Sequence, residues 1–219
     1  MRLHEIAARS PPTRTFAKLF HVGTLNRADK RRGSYEGAGL SVSLHPDEWM
    51  QIARLGGNPI WQCVRVGNRF IDFYRLSKAL KASIGDWAVA QGLAQRATVW
   101  RVSFYDEEAE DRRYFEFTDQ NEAQDEFNDL KHGQEDDTAA IKEMPGSLTG
   151  TPALYHRMLQ DRHELADVVE FAVIAYAEDV MKIDGVWFNE RLDPENLSAP
   201  RGVIVPSMVP YWRFSQISA

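Results

Sequence analysis

Apolar and polar residues alternate with a period of two in several short segments of the first half of the chain. In Leu40-Ser41-Val42-Ser43-Leu44 the apolar residues fall on one face of an extended strand and the two serines on the other. Segments of this kind, bounded by Gly, Pro and Asn, predict strands at about 17–23, 40–44, 59–66 and 69–74, with helices at about 45–56 and 76–94. The mixed order predicts an α+β fold in a single domain, 1–219.

The middle of the chain carries a second alternating pattern. Val99 to Tyr105 and Arg112 to Phe117 both alternate, and the polar residues between them predict a hairpin loop. A helix is predicted at about 120–132, followed by a polar connection at 134–152 that contains Pro145-Gly146. We therefore expect 99–150 to be an acidic insertion within the domain.

Helical spacing of apolar residues dominates the next stretch. It predicts one long core helix at about 152–182. Beyond it, Val186-Trp187-Phe188 reads as a buried strand that ends in Asn189-Glu190. A turn-rich loop at 192–200 then leads into a strand that begins at Arg201.

Composition places the chain among folded proteins. Of its 219 residues, 43% are apolar and 11% aromatic, which is enough to bury a sizeable core. It has no uninterrupted apolar run long enough to span a membrane and no signal-peptide pattern, so we expect a cytoplasmic protein without membrane contact. The single cysteine, Cys63, lies in a strand-like run and is interpreted as a core residue.

Charge is distributed unevenly along the chain, whose net charge is −6. Residues 106–137 hold fourteen acidic and three basic side chains, which suggests a partner-binding surface. Residues 1–32 hold eight Lys or Arg against two acids and end in Lys30-Arg31-Arg32. That basic segment would suit a phosphate-bearing ligand or a nucleic acid, although a solvated loop has the same composition.

The common nucleotide, hydrolase and zinc motifs are missing: the sequence has no GxGxxG, Walker A, GxSxG or paired CxxC. The candidate chemistry rests instead on two residues near strand ends. His21 precedes Gly23-Thr24 at the end of the first strand, and Glu190 follows the Val186 to Phe188 run. A cleft on a β scaffold would bring these two side chains together.

Phe20-His21-Val22-Gly23-Thr24, followed by the segment from Gly37 to Ser43, resembles the opening of ADP-ribosyltransferase-fold proteins. In that superfamily the first strand carries a histidine in an H-G-T-like motif, the second begins with glycine, and a later strand presents an acidic residue. Glu190 is the acidic candidate here and Asp193 the second. The sequence departs from the pattern where Val22 separates His21 from Gly23.

The resemblance implies an enzyme that takes NAD as donor and modifies a macromolecular acceptor, protein or nucleic acid. Glu190 would stabilise positive charge that develops on the ribose. His21, Gly23 and Thr24 would hold the adenosine side of the cofactor, and Ser41 and Ser43 would lie beside the nicotinamide. Ser41 stands where the family often has a stacking tyrosine, so Tyr35 or Trp187 would supply the stack. Arg27 or the Lys30-Arg31-Arg32 cluster would meet the phosphates. Arg201 could bind a cofactor phosphate or form an ion pair with Glu190.

Three alternatives remain open from the sequence. The same pocket would serve an NAD glycohydrolase, in which water replaces the acceptor. A non-catalytic binding or inhibitor protein could use the acidic 106–137 segment. A metal-dependent hydrolase could be built on His21, His45 and Asp47, although the last two lie at a helix start, where capping explains them.

Overall fold

The chain has an α+β fold in a computed structural model, which describes residues 10–26, 38–52, 54–106, 110–133, 138–160, 168–188 and 200–217. The strands are β1 (Thr13–Arg14), β2 (Leu19–Val22), β3 (Leu40–Ser43), β4 (Ile60–Val64), β5 (Phe70–Asp72), β6 (Ala94–Asp106), β7 (Asp111–Phe117), β8 (Ala140–Gly150), β9 (Gly185–Trp187), β10 (Arg201–Ile204) and β11 (Arg213–Ile217). The α-helices are α1 (Pro46–Ile52), α2 (Lys78–Ala90), α3 (Gln120–Gly133), α4 (Pro152–Arg157) and α5 (Val168–Tyr176). Among the described helices, none combines the length and the apolar character needed to cross a membrane.

Eight strands form the main sheet, in the order β1-β5-β9-β10-β3-β2-β4-β11. β5 and β9 run parallel, and the strands from β9 to β11 pair antiparallel with their neighbours. Strands from both ends of the chain therefore meet in the middle of the sheet: β3 lies between β2 and β10. Such pairing between distant segments cannot be read from local periodicity.

The main sheet is packed on both faces. On one face α2 and α5 cover Ile71, Val186 and Val203, and Trp87 of α2 meets Tyr176 of α5 edge to face. On the other face a second core gathers around Leu19, Phe70 and Trp187 of the sheet. Because both faces are covered, any polar side chain in the central strands must find its hydrogen bonds inside the protein.

Local signals explain where the helices begin and end. Ser77 caps α2 by accepting a hydrogen bond from Leu80 N, and Gly92 ends it with a positive φ of 69°. Asp119 caps α3, since its Oδ1 accepts from Asn121 N and Glu122 N. Pro152 occupies the first turn of α4, where its missing N–H costs nothing.

A second sheet of three strands, in the order β7-β6-β8, stands beside the main one. Its outer part has a small core of Val102, Phe104, Ala123 and Leu130, closed by α3. Its inner part joins the main core through Ala94 and Leu148. The β6–β7 hairpin and the helix that follows it confirm the prediction for 99–132.

Two sequence predictions are wrong. The polar connection predicted at 134–152 contains β8, an eleven-residue strand paired with β6. A register shift between Ala97 and Val99 of β6 lies opposite Pro145-Gly146, and this bulge lets a Pro-Gly pair sit within a strand. The single helix predicted at 152–182 is also wrong: the chain turns at Leu159, whose φ is 53°, so α4 and α5 are separate helices.

Candidate functional site

The main sheet places the predicted motifs on neighbouring strands. In the order β9-β10-β3-β2, the strand with His21 lies beside the strand with Ser41 and Ser43. Ser43 pairs with Phe20 on one side and with Arg201 on the other. The segment 27–37 connects β2 to β3, and the segment 189–199 connects β9 to β10, so both link adjacent strands of one sheet.

Several predicted site residues fall in those two segments. Glu190, Asp193, Tyr35, Arg27 and the Lys30-Arg31-Arg32 cluster lie outside the described residues. That His21 and Glu190 share one cleft therefore stays a prediction. The described residues include the strands that precede and follow each of the two segments.

The two segments attach at opposite ends of β3. Residues 27–37 return to the sheet near Leu40, and residues 189–199 return beside Ser43. β3 is four residues long, which is about 10 Å between its first and last Cα. A ligand of dinucleotide length could span that distance, whereas a small substrate would meet only one end.

Strand register separates His21 from the two serines. Phe20 is paired with Ser43, so their side chains share a face, and the side chain of His21 points to the opposite face. The structure therefore does not bring the imidazole and the Ser41 and Ser43 hydroxyls together. A one-residue difference in register would have reversed this outcome, which is why the sequence pattern did not reveal it.

His21 is fully buried and engaged at both ring nitrogens. Nδ1 lies 2.7 Å from the carbonyl oxygen of Ser41, and Nε2 lies 3.0 Å from the carbonyl oxygen of Thr24. Carbonyl oxygens only accept, so a neutral ring donates to one of them and an imidazolium donates to both. His21 thus ties β2 to β3 and closes the turn after β2. A ribose hydroxyl could reach Nε2 only by displacing the Thr24 carbonyl.

The turn at Gly23-Thr24 is fixed by the protein itself. Gly23 has a φ of 122°, its N–H donates to Pro59 O, and its carbonyl accepts from Trp61 Nε1, both at 2.9 Å. Thr24 Oγ1 accepts from Asn26 N at 3.2 Å. Both backbone groups of Gly23 are therefore occupied, and its predicted contact with a cofactor would rely on close van der Waals approach.

A small cleft opens beside this turn. It has a volume of about 220 Å³ and is lined by Leu25, Asn26, Gly39, Leu40, Pro206, Val209 and Pro210. A side chain at position 39 would overlap the carbonyl oxygen of Ile204, so glycine is required where β3 approaches β10. Pockets for drug-sized ligands usually measure roughly 300 to 1,000 Å³. This cleft would therefore admit one ring or sugar. Its wall of Pro206 and Pro210 has no signal in the local sequence pattern.

The other end of β3 holds the anchor of the 189–199 segment. Ser43 Oγ donates to Pro200 O at 2.7 Å and accepts from His45 N at 3.1 Å. Phe188 N donates to Arg201 O at 2.9 Å, and the Arg201 guanidinium lies 5.3 Å from the centre of the Phe188 ring. The residues on either side of the 189–199 segment are thus hydrogen-bonded to each other, and Ser43 holds Pro200 in place.

Trp187 and Cys63 are interior residues. Trp187 is 1% exposed and packs on Phe16 with 4.4 Å between ring centres, so a nicotinamide ring could stack on it only by displacing Phe16.

Burial raises the pKa of the Cys63 thiol to about 12, which keeps the sulfur protonated and unreactive. The interpretation of Cys63 as a core residue is confirmed.

A buried carboxylate that the sequence analysis passed over holds the end of the main sheet together. Asp184 is 2% exposed, and its Oδ1 accepts from Arg65 Nη1 at 2.6 Å and from Trp212 Nε1 at 2.9 Å. Its Oδ2 accepts from Arg69 N at 2.9 Å. The position just before an apolar strand is the only local signal for it, and its partners come from distant parts of the chain.

A second carboxylate cluster lies where α4 meets the π-helical turn Ala177–Met181. Arg157 donates to Asp179 and Glu178, and Glu178 also accepts from Ser207 N at 2.9 Å. Burial alone would raise the pKa of Glu178, but the hydrogen bonds from Ser207 and Arg157 outweigh it and lower the pKa. The hydrogen bond from Arg157 likewise lowers the pKa of Asp179.

The metal-hydrolase alternative receives no support from the described part of the chain. Within it, no three His, Cys, Asp or Glu side chains are grouped as metal ligands would be. Both ring nitrogens of His21 face carbonyl oxygens, as described above.

Comparison of the chain with protein-family models, with curated proteins and with solved structures finds no significant match.

Proposed function

We propose that the protein is an NAD-dependent ADP-ribosyltransferase that modifies a macromolecular acceptor. The observation that supports the proposal is the strand order β9-β10-β3-β2, which brings the three strands associated with the motifs, β2, β3 and β9, into one part of the main sheet. The resemblance implies that these strands lie close together. Nothing in their local sequence demands it.

The residues available at the Arg201 end of β3 suit an anionic dinucleotide. Arg201 is half-buried, lies at the start of β10, and flanks the segment that carries Glu190. A guanidinium is well matched to a pyrophosphate, since it offers several N–H donors in a plane. His21 and Ser43 act as positioning residues: one fixes β2 against β3, and the other anchors Pro200.

In the proposed transfer, the bond between the nicotinamide nitrogen and ribose C1′ breaks, and its electron pair neutralises the positively charged ring. A nucleophile of the acceptor forms the new bond to C1′ and releases its proton to solvent. The Glu190 carboxylate stabilises the positive charge that develops on the ribose in the transition state, by the electrostatics used in glycoside chemistry. With water as the nucleophile, the same steps describe the glycohydrolase alternative.

Consumption of NAD by the purified protein, with and without cell extract, tests the proposal. Mass spectrometry should find ADP-ribose attached to an acceptor in the extract. Free ADP-ribose in equal amounts under both conditions would indicate a glycohydrolase instead. If no NAD is consumed, the proposal fails and the alternative of a non-catalytic binding or inhibitor protein is favoured.

Substitution of Glu190 locates the chemistry. Glu190→Gln should lower turnover by roughly 10² to 10³, the effect of removing one electrostatic contact to a transition state, with NAD affinity unchanged. Glu195→Gln, in the same segment, is the matched control and should keep full turnover. Unchanged turnover in Glu190→Gln would shift the catalytic role to Asp193 or elsewhere.

A further inference from the structure

A cationic surface lies next to the candidate site and is not used by the proposed chemistry. It surrounds the 3-10 turn Phe73–Arg75, which follows β5, and we call it the Tyr74 surface. Its members are Arg14, Phe73, Tyr74, Arg75, Lys78 and Lys81.

One buried carboxylate holds two guanidinium groups at this surface. Asp72 has a side-chain exposure of 5%, and its Oδ2 lies 3.8 Å from Arg14 Nη1 and 3.7 Å from Arg75 Nε. Arg75, with 77% of its side chain exposed, therefore presents positive charge to solvent.

An exposed aromatic ring stands within this cationic surface. Tyr74 is 74% exposed, and Arg75 follows it directly. Lys78, four residues after Tyr74, is exposed at the start of α2. An exposed aromatic ring with exposed cationic residues close to it in sequence is a combination with which proteins bind single-stranded nucleic acids: the ring stacks on a base and the cations follow the phosphates.

Ring contacts connect the Tyr74 surface to the candidate site. Lys81 Nζ lies 3.9 Å from the centre of the Phe73 ring, and Phe73 lies 5.4 Å from Phe188 between ring centres. Phe188 in turn lies under the Arg201 guanidinium. Phe188 is also the residue from which the Glu190 segment departs, so a polymer bound here would pass beside that segment's base.

We infer that the Tyr74 surface binds a single-stranded nucleic acid and that the bound strand is the acceptor. The second part rests on the proposed function, and the first does not. An acidic peptide would satisfy the cations but offers no regular π-face for Tyr74. A base-paired duplex keeps its bases stacked inside and could use only the charges.

Fluorescence anisotropy with a labelled oligothymidylate of about a dozen nucleotides, and with the matching oligouridylate, measures the binding without NAD. Tyr74→Ala should weaken binding about tenfold, the loss expected for one stacked base. Tyr74→Phe keeps the ring and should bind like the wild type. Equal affinities for wild type and Tyr74→Ala would overturn the inference.

Salt dependence separates the phosphate contacts from the stacking. Arg75→Ala and Lys78→Ala should each reduce the slope of log affinity against log salt by about 0.7, the value for one phosphate contact to a single strand. Matched controls are Tyr114→Ala and Arg112→Ala on the exposed edge strand β7, which should change neither affinity nor slope. If polyglutamate competes as well as the oligonucleotide, the surface is a general polyanion site and the inference fails.

Measuring binding and NAD consumption separately keeps the two proposals distinguishable. Binding without NAD consumption would overturn the transferase and leave the binding surface standing. Consumption of NAD without oligonucleotide binding would do the reverse. If the protein binds the oligonucleotide and modifies only proteins of the extract, the strand is not the acceptor.

Discussion

Polar side chains of the main sheet, such as His21, Ser43 and Asp184, are buried and hydrogen-bonded within the protein, whereas the charges of the three-stranded sheet lie mostly at its surface. In the first region a polar residue is held by partners that are distant in sequence. In the second, ion pairs such as Arg101 with Glu116 join neighbouring strands of one hairpin. We conclude that the polar residues of the main sheet hold its strands in position, whereas those of the three-stranded sheet present charge to solvent. A substitution in one region should therefore leave the other unchanged.

The largest effect is expected at Asp184. Asp184→Ala should lower the free energy of unfolding by about 3 kcal/mol, because it leaves Arg65, Trp212 Nε1 and Arg69 N without their buried acceptor. Urea denaturation followed by tryptophan fluorescence measures the loss. The control Asp86→Ala breaks an exposed pair with Arg96 and should cost less than about 0.5 kcal/mol. Similar losses in both variants would contradict the contrast between buried and surface charges.

The core of the three-stranded sheet should unfold by itself. Leu130→Ala removes a 7% exposed side chain from its four-residue core and should cost about 2 to 3 kcal/mol. Hydrogen exchange should quicken in β7 and α3 while the main sheet keeps its protection. Leu154→Ala, in the main core, is the matched control and should affect the main sheet. Loss of protection in both sheets together would make the protein one cooperative unit.

A smaller and pH-dependent effect is expected from the Arg157 cluster of the main body. The pKa values of Glu178 and Asp179 are lowered in the folded state from the ordinary 4.5 and 3.8. Groups with depressed pKa values stabilise the fold above their unfolded pKa, and this stability is lost as the pH falls through the folded pKa.

Comparison of wild type with Glu178→Gln across the acid range measures this effect. The wild type should be about 1 kcal/mol more stable at pH 7, and the difference should shrink as the pH falls below 4.5. Glu122→Gln, on the exposed face of α3, serves as the control and should change the free energy of unfolding at pH 7 by less than about 0.5 kcal/mol. A difference that persists into strong acid would show that the Arg157 contacts are not the cause.

The smallest structural effect is expected from neutralising the acidic hairpin. Changing Glu107, Glu108, Glu110 and Asp111 to their amides should leave stability within about 0.5 kcal/mol and NAD affinity unchanged. Binding of polylysine, used as a basic probe, should weaken at low salt and less so at high salt, since exposed charges are screened. Loss of NAD binding in this variant would place the hairpin in the cofactor pocket. It would contradict the separation of roles between the main sheet and the three-stranded sheet.

Local sequence was enough to predict the short elements of this protein. β2, β3, the β6–β7 hairpin, α2 and α3 were predicted because each has a strong period of two or 3.6, with caps or turns at its ends. The α+β class followed from their order. These signals are local, and each survives folding because the element it predicts also buries its apolar face.

Tertiary structure decided everything that depends on pairing between distant strands. The resemblance assigns His21 and the two serines, Ser41 and Ser43, to one cofactor site, but strand register puts the imidazole and the hydroxyls on opposite faces of the sheet. Pro145-Gly146 reads locally as a break, yet a bulge against β6 keeps it within β8. Asp184 finds its three donors, and Asp72 finds Arg14, only after segments far apart in the chain have met. Register and long-range partners carry no local periodicity, so only the folded chain fixes them.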